Sequence, residues 1–280
     1  MSEADPATAV PRIVVAFDTT PVGEAALEAA LGLAEILHAE IAGLFVEDVG
    51  LVRMAALPFT RELGLTSAAL RPIESADIER ALKLQAAQSR AWLEATAAAL
   101  NVPWSFQVVR GESVNAALEF TRESALLVMG SASAGVVGRS IRLVERAGAR
   151  PSATARGTFH HLRARPITML FDGSERSLRA LAAAHTLASR AASRLTLLVV
   201  AENAEDYDRR RQQARSWLAE QGGTAKFVWL KSRDAKSVAQ AAGAEHASAL
   251  VWHEETAAPP DPRALRRLLA EMGCPLILVS

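Results

Sequence analysis

Short runs of apolar residues alternate with longer amphipathic stretches along this chain. The first run, residues 13–17, ends at Asp18, and Pro21 stands where a helix would begin, after a threonine that can cap it. Apolar residues then recur at helical spacing over residues 27–37. Because β runs and helices alternate in the same way through the rest of the chain, the pattern predicts a parallel sheet with right-handed crossovers.

The opening pattern occurs twice. Residues 13–20 recur as residues 167–174, so that Asp18 corresponds to Asp172, and the register continues without a gap into the next apolar run. Self-similarity over a whole supersecondary unit defines the domain plan more firmly than any local motif. The chain is therefore predicted to be a tandem of two related α/β domains.

The two repeats differ in length. We expect a first domain over residues 1–150, a basic linker or degenerate fifth strand over residues 151–165, and a second domain over residues 166–280. The second domain is about 33 residues shorter between its second and third strands. It chiefly lacks a counterpart of residues 47–75, which have no clear period and are predicted to form a long loop or a helical excursion.

Composition limits the classes of function. Of 280 residues, 50% are apolar and 5% aromatic, which suits aliphatic parallel strands covered by alanine- and leucine-rich helices. The 31 basic and 31 acidic residues leave no net charge to attract nucleic acid or an anionic membrane. The single cysteine, Cys274, is expected to be packed rather than reactive. Since no apolar run approaches the ~18 residues of a membrane span, a soluble cytoplasmic protein is expected.

Four features, taken together and in order, resemble the universal stress protein family in its tandem form. They are an apolar first strand ending at Asp18 or Asp172, an alanine- and leucine-rich helix after it, a fourth strand ending at residues 127–130, and a last strand introduced by residues 273–275. The resemblance implies two tandem five-stranded parallel sheets of strand order 3-2-1-4-5, with helices on both faces. Ligands in such sheets bind beyond the carboxyl ends of the strands, where the strand order reverses.

The resemblance also implies an adenine-nucleotide site, for ATP or AMP, in the first half. In this family the Asp after the first strand contacts the nucleoside, and a glycine-rich loop after the fourth strand holds the phosphates on backbone amides. Here Ser133 replaces the second loop glycine, and no metal is expected beyond nucleotide-associated Mg²⁺. The implied ligand residues are Asp18, Thr19, Val46, Gly130, Ser131, Ser133, Gly135, Gly138, Arg139 and Ser140.

The corresponding loop of the second half differs in its chemistry. Residues 252–262 contain no glycine, three prolines and three carboxylates, and His253 is interpreted as part of this loop. Asp261 is placed to cap the last helix, with Pro262 in its first position. Because carboxylates repel a nearby phosphate, the second half is not expected to bind a nucleoside triphosphate.

Simpler explanations exist for the same residues. Asp18 and Asp172 would also cap the turns after their strands, and Gly130 would also serve the sharp exit from a strand. No nucleophile, base and orienting group occur at a spacing that commits the chain to catalysis, so a non-enzymatic regulatory protein is favoured, with weak ATP hydrolysis left open. Two alternatives are an interaction or dimerisation scaffold whose pockets have both decayed, and a small-ligand enzyme on a related nucleotide-binding fold.

The C-terminal run, residues 275–280, is apolar and is expected at the edge of its sheet, where it needs a partner. The equivalent region of the first half, residues 152–161, is polar and basic and is a poor strand by composition. We therefore expect the terminal strand either to pair with part of the linker or, preferably, to form a homodimer with a second copy. A regulatory protein partner is also expected, without a sequence signal that identifies it.

Overall fold

The computed structural model describes residues 12–17, 21–48, 53, 61–63, 70–72, 75–111, 117–118, 126–130, 162, 165–253 and 262–279. Within these ranges, helices cover both faces of one nine-stranded, mostly parallel sheet, and a short two-stranded hairpin lies apart from it. The predicted α/β fold class is confirmed.

The first half supplies four strands of the main sheet. Its described elements are β1 (Arg12–Ala16), α1 (Pro21–Leu37), β2 (Glu40–Asp48), β3 (Arg61–Leu63), β4 (Leu70–Pro72), α2 (Ser75–Ala99), β5 (Trp104–Gly111) and β6 (Leu126–Met129). Helix α1 begins at Pro21 as predicted. The hairpin of β3 and β4 lies in the segment predicted to be a long loop or a helical excursion. The sequence did not predict these strands, because strands of three residues are too short to leave a periodic signal.

The second half supplies the other five strands. Its elements are β7 (Ile167–Phe171), α3 (Glu175–Arg190), β8 (Leu195–Val200), α4 (Ala204–Glu220), β9 (Lys226–Leu230), α5 (Ala235–Ala244), β10 (Ala249–His253), α6 (Pro262–Glu271) and β11 (Leu276–Val279). Side-chain caps set three of the helix starts, since Ser174, Asn203 and Asp234 each accept a backbone N–H from the residue three positions later.

The main sheet has the strand order β5-β2-β1-β6-β11-β10-β7-β8-β9. The second half therefore has the predicted order 3-2-1-4-5, and the described strands of the first half have the order 3-2-1-4. In each half the first strand lies between the second and fourth strands, as the resemblance implied. This arrangement creates one topological switch point per half.

Strand β11 joins the two halves. It pairs in parallel with β10 on one side and in antiparallel with β6 on the other, where Ile277 lies opposite Val128. The expectation that the terminal strand lies at an edge is therefore wrong, because β11 occupies the place beside β6 where a fifth strand of the first half would lie. Most of residues 151–165, the predicted linker or degenerate strand, fall outside the described residues. The homodimer prediction loses its basis in a free β11 edge and stays a prediction.

The antiparallel pairing also sets the direction of the two halves. All strands of the first half in the main sheet run parallel to β6, and all those of the second half run parallel to β11. The carboxyl ends of the two sets therefore point to opposite edges of the sheet. As a result the two switch points open at opposite ends of the molecule.

Alternate strand residues face two apolar layers. On one face, residues such as Val15 and Met169 pack with helices α1, α2, α3 and α4. On the other face, residues such as Val14 and Leu278 pack with α5 and α6. This is why the strands read as continuous apolar runs, since both of their faces are buried.

The lone cysteine belongs to the second of these layers. Cys274 is buried, and this burial raises the pKa of its thiol to about 12. A thiol that stays protonated at neutral pH is a poor nucleophile, so the prediction of a packed cysteine is confirmed. None of the helices in the described part of the chain combines the length and apolar composition that a membrane span requires.

Replacing Leu278 with alanine tests the role of β11. Leu278 is 2% exposed and lies opposite Leu127 of β6. We expect the variant to lose about 2–5 kcal/mol of unfolding free energy in urea titrations, because a buried leucine is truncated at the junction of the halves. The control is Leu84→Ala on α2, where the side chain is 50% exposed and the expected loss is below about 0.5 kcal/mol. Equal losses in the two variants would contradict this role of β11.

Candidate functional site

The carboxyl ends of β7, β9 and β10 meet around Asp172, the residue directly after β7. Its Oδ2 atom accepts hydrogen bonds from Nη1 of Arg233 at 2.8 Å and from Nε2 of His253 at 2.9 Å. Arg233 follows β9 by three residues, and His253 is the last residue of β10. The Asp172 network, as we call these three side chains, thus ties together the ends of three strands at the second switch point.

Arg233 also binds the end of β10. Its Nη2 atom donates to the carbonyl of His253 at 3.0 Å, and its guanidinium lies 5.5 Å from the centre of the Trp252 ring. The side chains of Arg233 and Asp172 are 17% and 18% exposed, and that of His253 is 1% exposed. The carboxylate is therefore enclosed by its own partners.

The turn after β7 binds the other oxygen of the Asp172 carboxylate. Asp172 Oδ1 accepts the backbone N–H of Ser174 at 2.9 Å, and the Ser174 side chain in turn caps α3 by accepting from the N–H of Ser177. Gly173 between them has φ +82°, a left-handed conformation that a residue with a Cβ rarely adopts. The capping interpretation of Asp172 is confirmed, but it accounts for only one of the two carboxylate oxygens.

These contacts set the charge of Asp172. Burial alone raises the pKa of this carboxyl, but hydrogen bonds from His253 and Ser174 together outweigh burial and hold the pKa well below its usual range. The group is therefore a carboxylate at neutral pH, with a guanidinium beside it. The charge and the hydrogen-bonding capacity of the Asp172 carboxylate are thus satisfied by other residues of this chain.

Sheet register identifies the first-half counterpart of His253. Leu126 of β6 lies opposite Ile13, and Ala249 of β10 lies opposite Ile167, which corresponds to Ile13 in the repeat. Four residues further along each fourth strand stand Gly130 and His253. The first loop glycine of the first half is thus replaced, at the equivalent position of the second half, by the histidine whose side chain reaches Asp172.

Gly130 itself is held tightly by its surroundings. Its N–H donates to the carbonyl of Ala16 at 3.0 Å, and a Cβ on this residue would lie 2.9 Å from the Cα of Gly23 at the start of α1. A side chain at this position would force the helix away, so the close approach of strand and helix explains the glycine by packing alone. This packing role differs from the sharp strand exit that the sequence suggested for Gly130.

The structure describes few of the other residues implied to bind a nucleotide. Val46 lies near the carboxyl end of β2 and is half-buried. The remainder, Asp18, Thr19, Ser131, Ser133, Gly135, Gly138, Arg139 and Ser140, lie outside the described residues, as do residues 254–261. Within the described ranges, no cluster of three His, Cys, Asp or Glu side chains is arranged to hold a metal ion.

Sequence reasoning missed two members of the Asp172 network. His253 was interpreted as a loop residue, which is wrong because it ends β10, and Arg233 was not considered. Register could have found both. The matched pairs Ala42–Ser105 and Thr196–Lys226 define a sequence offset that aligns Arg233 with Glu112, a residue of opposite charge outside the described residues.

Comparison with known proteins shows the fold. A universal stress protein from Archaeoglobus fulgidus DSM 4304 is 11% identical to this chain, with 96% of each chain covered and a TM-score of 0.53. A universal stress protein from Archaeoglobus fulgidus in complex with dAMP is 15% identical over 42% of this chain and 99% of that one, with a TM-score of 0.35. The cytoplasmic domain of a prokaryotic cation chloride cotransporter is 11% identical over 96% and 94%, with a TM-score of 0.44.

No protein-family profile matches the chain, and no curated protein sequence matches it. The resemblance to universal stress proteins is therefore confirmed at the level of the fold, through the structure that covers both halves. Fold likeness at this identity does not carry ligands or activities with it.

The depressed pKa of Asp172 predicts a pH dependence of stability. Asp172→Asn should lower the unfolding free energy by about 1–3 kcal/mol at neutral pH, because Arg233 and His253 lose a charged acceptor. The wild type keeps this contribution above the ordinary carboxyl pKa of about 3.9 and loses it as the pH falls towards the native pKa.

Urea unfolding at a series of pH values between 7 and about 2 measures this effect. The gap between wild type and Asp172→Asn should be widest near neutrality and should narrow under acid conditions. A gap that stayed constant across the series would show that the carboxylate charge does not contribute to stability.

Proposed function

We propose that this protein is a universal-stress-type regulatory protein that holds at most one adenine nucleotide, ATP or AMP, in its first half. The second half is proposed to hold none. The observation that carries this proposal is the pair of equivalent positions occupied by Gly130 and His253. Gly130 puts no side chain into the first-half crevice, whereas the side chain of His253 reaches into the second-half crevice and bonds Asp172.

The proposed nucleotide site uses the residues that the family resemblance assigns. Asp18, the counterpart of Asp172, would accept hydrogen bonds from the nucleoside, with Thr19 and Val46 beside it. Since the Gly130 N–H already donates to Ala16, the phosphates would be held by later donors of the loop, such as Ser131, Ser133 and Arg139. The nucleotide would bring its own Mg²⁺, because the family pattern assigns no protein ligand to the metal.

The engaged carboxylate of Asp172 gives the proposal its asymmetry. Asp172 already accepts from Arg233, His253 and Ser174, so both of its oxygens are engaged. A nucleoside at this point would have to displace a guanidinium and a buried imidazole from the carboxylate. Glu112, which the sequence offset aligns with Arg233, cannot donate such a bond while it is ionised.

The same contacts favour one alternative. Since packing against Gly23 accounts for Gly130 without any ligand, the protein is a candidate for an interaction scaffold in which neither half binds a nucleotide. Both proposals include a regulatory protein partner and a cytoplasmic location. Both also include a homodimer, formed through a surface other than β11. Nucleotide binding separates them.

Titration calorimetry with ATP and AMP on paired aspartate variants tests the asymmetric site. Asp18→Ala should weaken nucleotide binding by about 1–3 kcal/mol, because a charged hydrogen-bond acceptor is lost. Asp172→Ala, the matched control at the equivalent position of the other repeat, should leave the affinity unchanged. Equal losses of nucleotide affinity in the two variants would contradict the asymmetric site. Absence of nucleotide binding in the wild type would favour the interaction scaffold.

A substitution in the first-half loop tests where the phosphates lie. Ser133→Glu should abolish ATP binding, because a carboxylate at this position repels a triphosphate. The matched control is Ser133→Gln, which has a similar size and no charge. If Ser133→Glu still bound ATP with wild-type affinity, the loop would not contact the phosphates.

A further inference from the structure

An open cavity of about 700 Å³ lies beside the turn that follows β7. It is bounded by the end of β8, the first turns of α4 and the segment after β9. Among its lining residues, four side chains are cationic and two are acidic: Arg209, Arg210, Lys231 and Arg233, with Asp172 and Glu202. The cavity is therefore positively charged within a protein whose formal net charge is zero.

Two of these cations are already paired with carboxylates. Arg233 binds Asp172 within the Asp172 network, and Arg209 pairs with Asp206 one turn earlier on α4. The other two cations are not. Among the residues that the structure describes, neither Arg210 nor Lys231 makes an ion pair with an acidic side chain.

Arg210 and Lys231 are nevertheless held in place. Arg210 Nη1 donates to the carbonyl of Val200, and the Lys231 ammonium lies 5.7 Å from the centre of the Trp229 ring. Each group therefore keeps further N–H donors for another acceptor. Cations that are positioned without a carboxylate partner lose little conformational freedom when an anion binds.

Close packing holds helix α4 against the turn after β7 at one side of this cavity. A Cβ on Gly173 would lie 3.2 Å from Cγ of Arg210 and 3.0 Å from Oε1 of Gln213, and Gln213 Nε2 donates to the Gly173 carbonyl at 3.2 Å. Helix α4 is thus seated directly on the turn after β7. The hydroxyls of Ser174 and Ser232 line the same cavity and add neutral hydrogen-bonding groups.

We infer that this cavity binds a phosphate group, carried either by inorganic phosphate or by a small phosphomonoester. Guanidinium groups match the geometry of phosphate oxygens, and a lysine ammonium adds a point charge. A cavity of this size has room for the rest of a small metabolite. The site lies on the β8 and β9 side of Asp172, and it uses side-chain cations rather than a glycine loop. It does not rest on the nucleotide site proposed for the first half.

Titration calorimetry on the full chain tests the site, with inorganic phosphate and glycerol 3-phosphate as probes at low ionic strength. We expect one phosphate site per chain in the Ser133→Glu background, which removes the loop proposed to hold phosphates in the first half. Arg210→Gln and Lys231→Gln should each weaken binding at least about tenfold, as expected for a lost charge-assisted hydrogen bond. The matched control is Arg215→Gln, an exposed arginine of α4 outside the cavity.

A gain of affinity provides an independent readout. Glu202 lines the cavity as an acidic side chain and is exposed, so Glu202→Gln should tighten phosphate binding several-fold without any loss of folding. Stronger binding of glycerol 3-phosphate than of phosphate would identify a phosphorylated metabolite as the ligand, and equal binding would identify phosphate itself. Absence of binding, or binding that all of the cavity variants leave unchanged, would overturn the proposal even if the nucleotide site of the first half is confirmed.

Discussion

Backbone hydrogen bonding between β11 and β6 is the constraint on which the rest of the architecture depends. A buried strand needs a neighbour on each side, because its N–H and C=O groups cannot be satisfied by water. Strand β6 is buried along its whole length and has β1 on one side. The C-terminal strand satisfies the other side, and by doing so it fuses two repeats into one sheet and orients their switch points in opposite directions.

The two switch points then follow different chemistry. In the first half, the residue after the fourth strand is a glycine packed against the start of α1, which leaves the crevice without a side chain at that point. In the second half, the equivalent histidine and an arginine from the segment after β9 bind the aspartate. The aspartate of the second repeat is thereby bonded to side chains of its own chain, and the remaining positive charge faces the cavity that Asp172 and Arg233 also line.

Much of this fold could be predicted from the sequence, because parallel strands and their helices leave strong local signals. The matched runs around Asp18 and Asp172 predicted the repeat, and Pro21 marked a helix start that the structure confirms. The pairing of β11 with β6 could not be predicted in the same way, because it joins segments about 150 residues apart and any buried apolar strand could have been the partner. Arg233 escaped detection for a similar reason, since only strand register brings it to Asp172.

The shared strand has a consequence for synthesis on the ribosome. Strand β6 is made about 150 residues before its antiparallel partner β11. During that interval the first repeat carries an apolar, unpaired strand edge, which is the kind of surface that recruits other chains. Translation speed through the second repeat therefore sets how long the nascent protein is exposed to aggregation, and chaperones that shield strand edges would act on this protein before β11 is made.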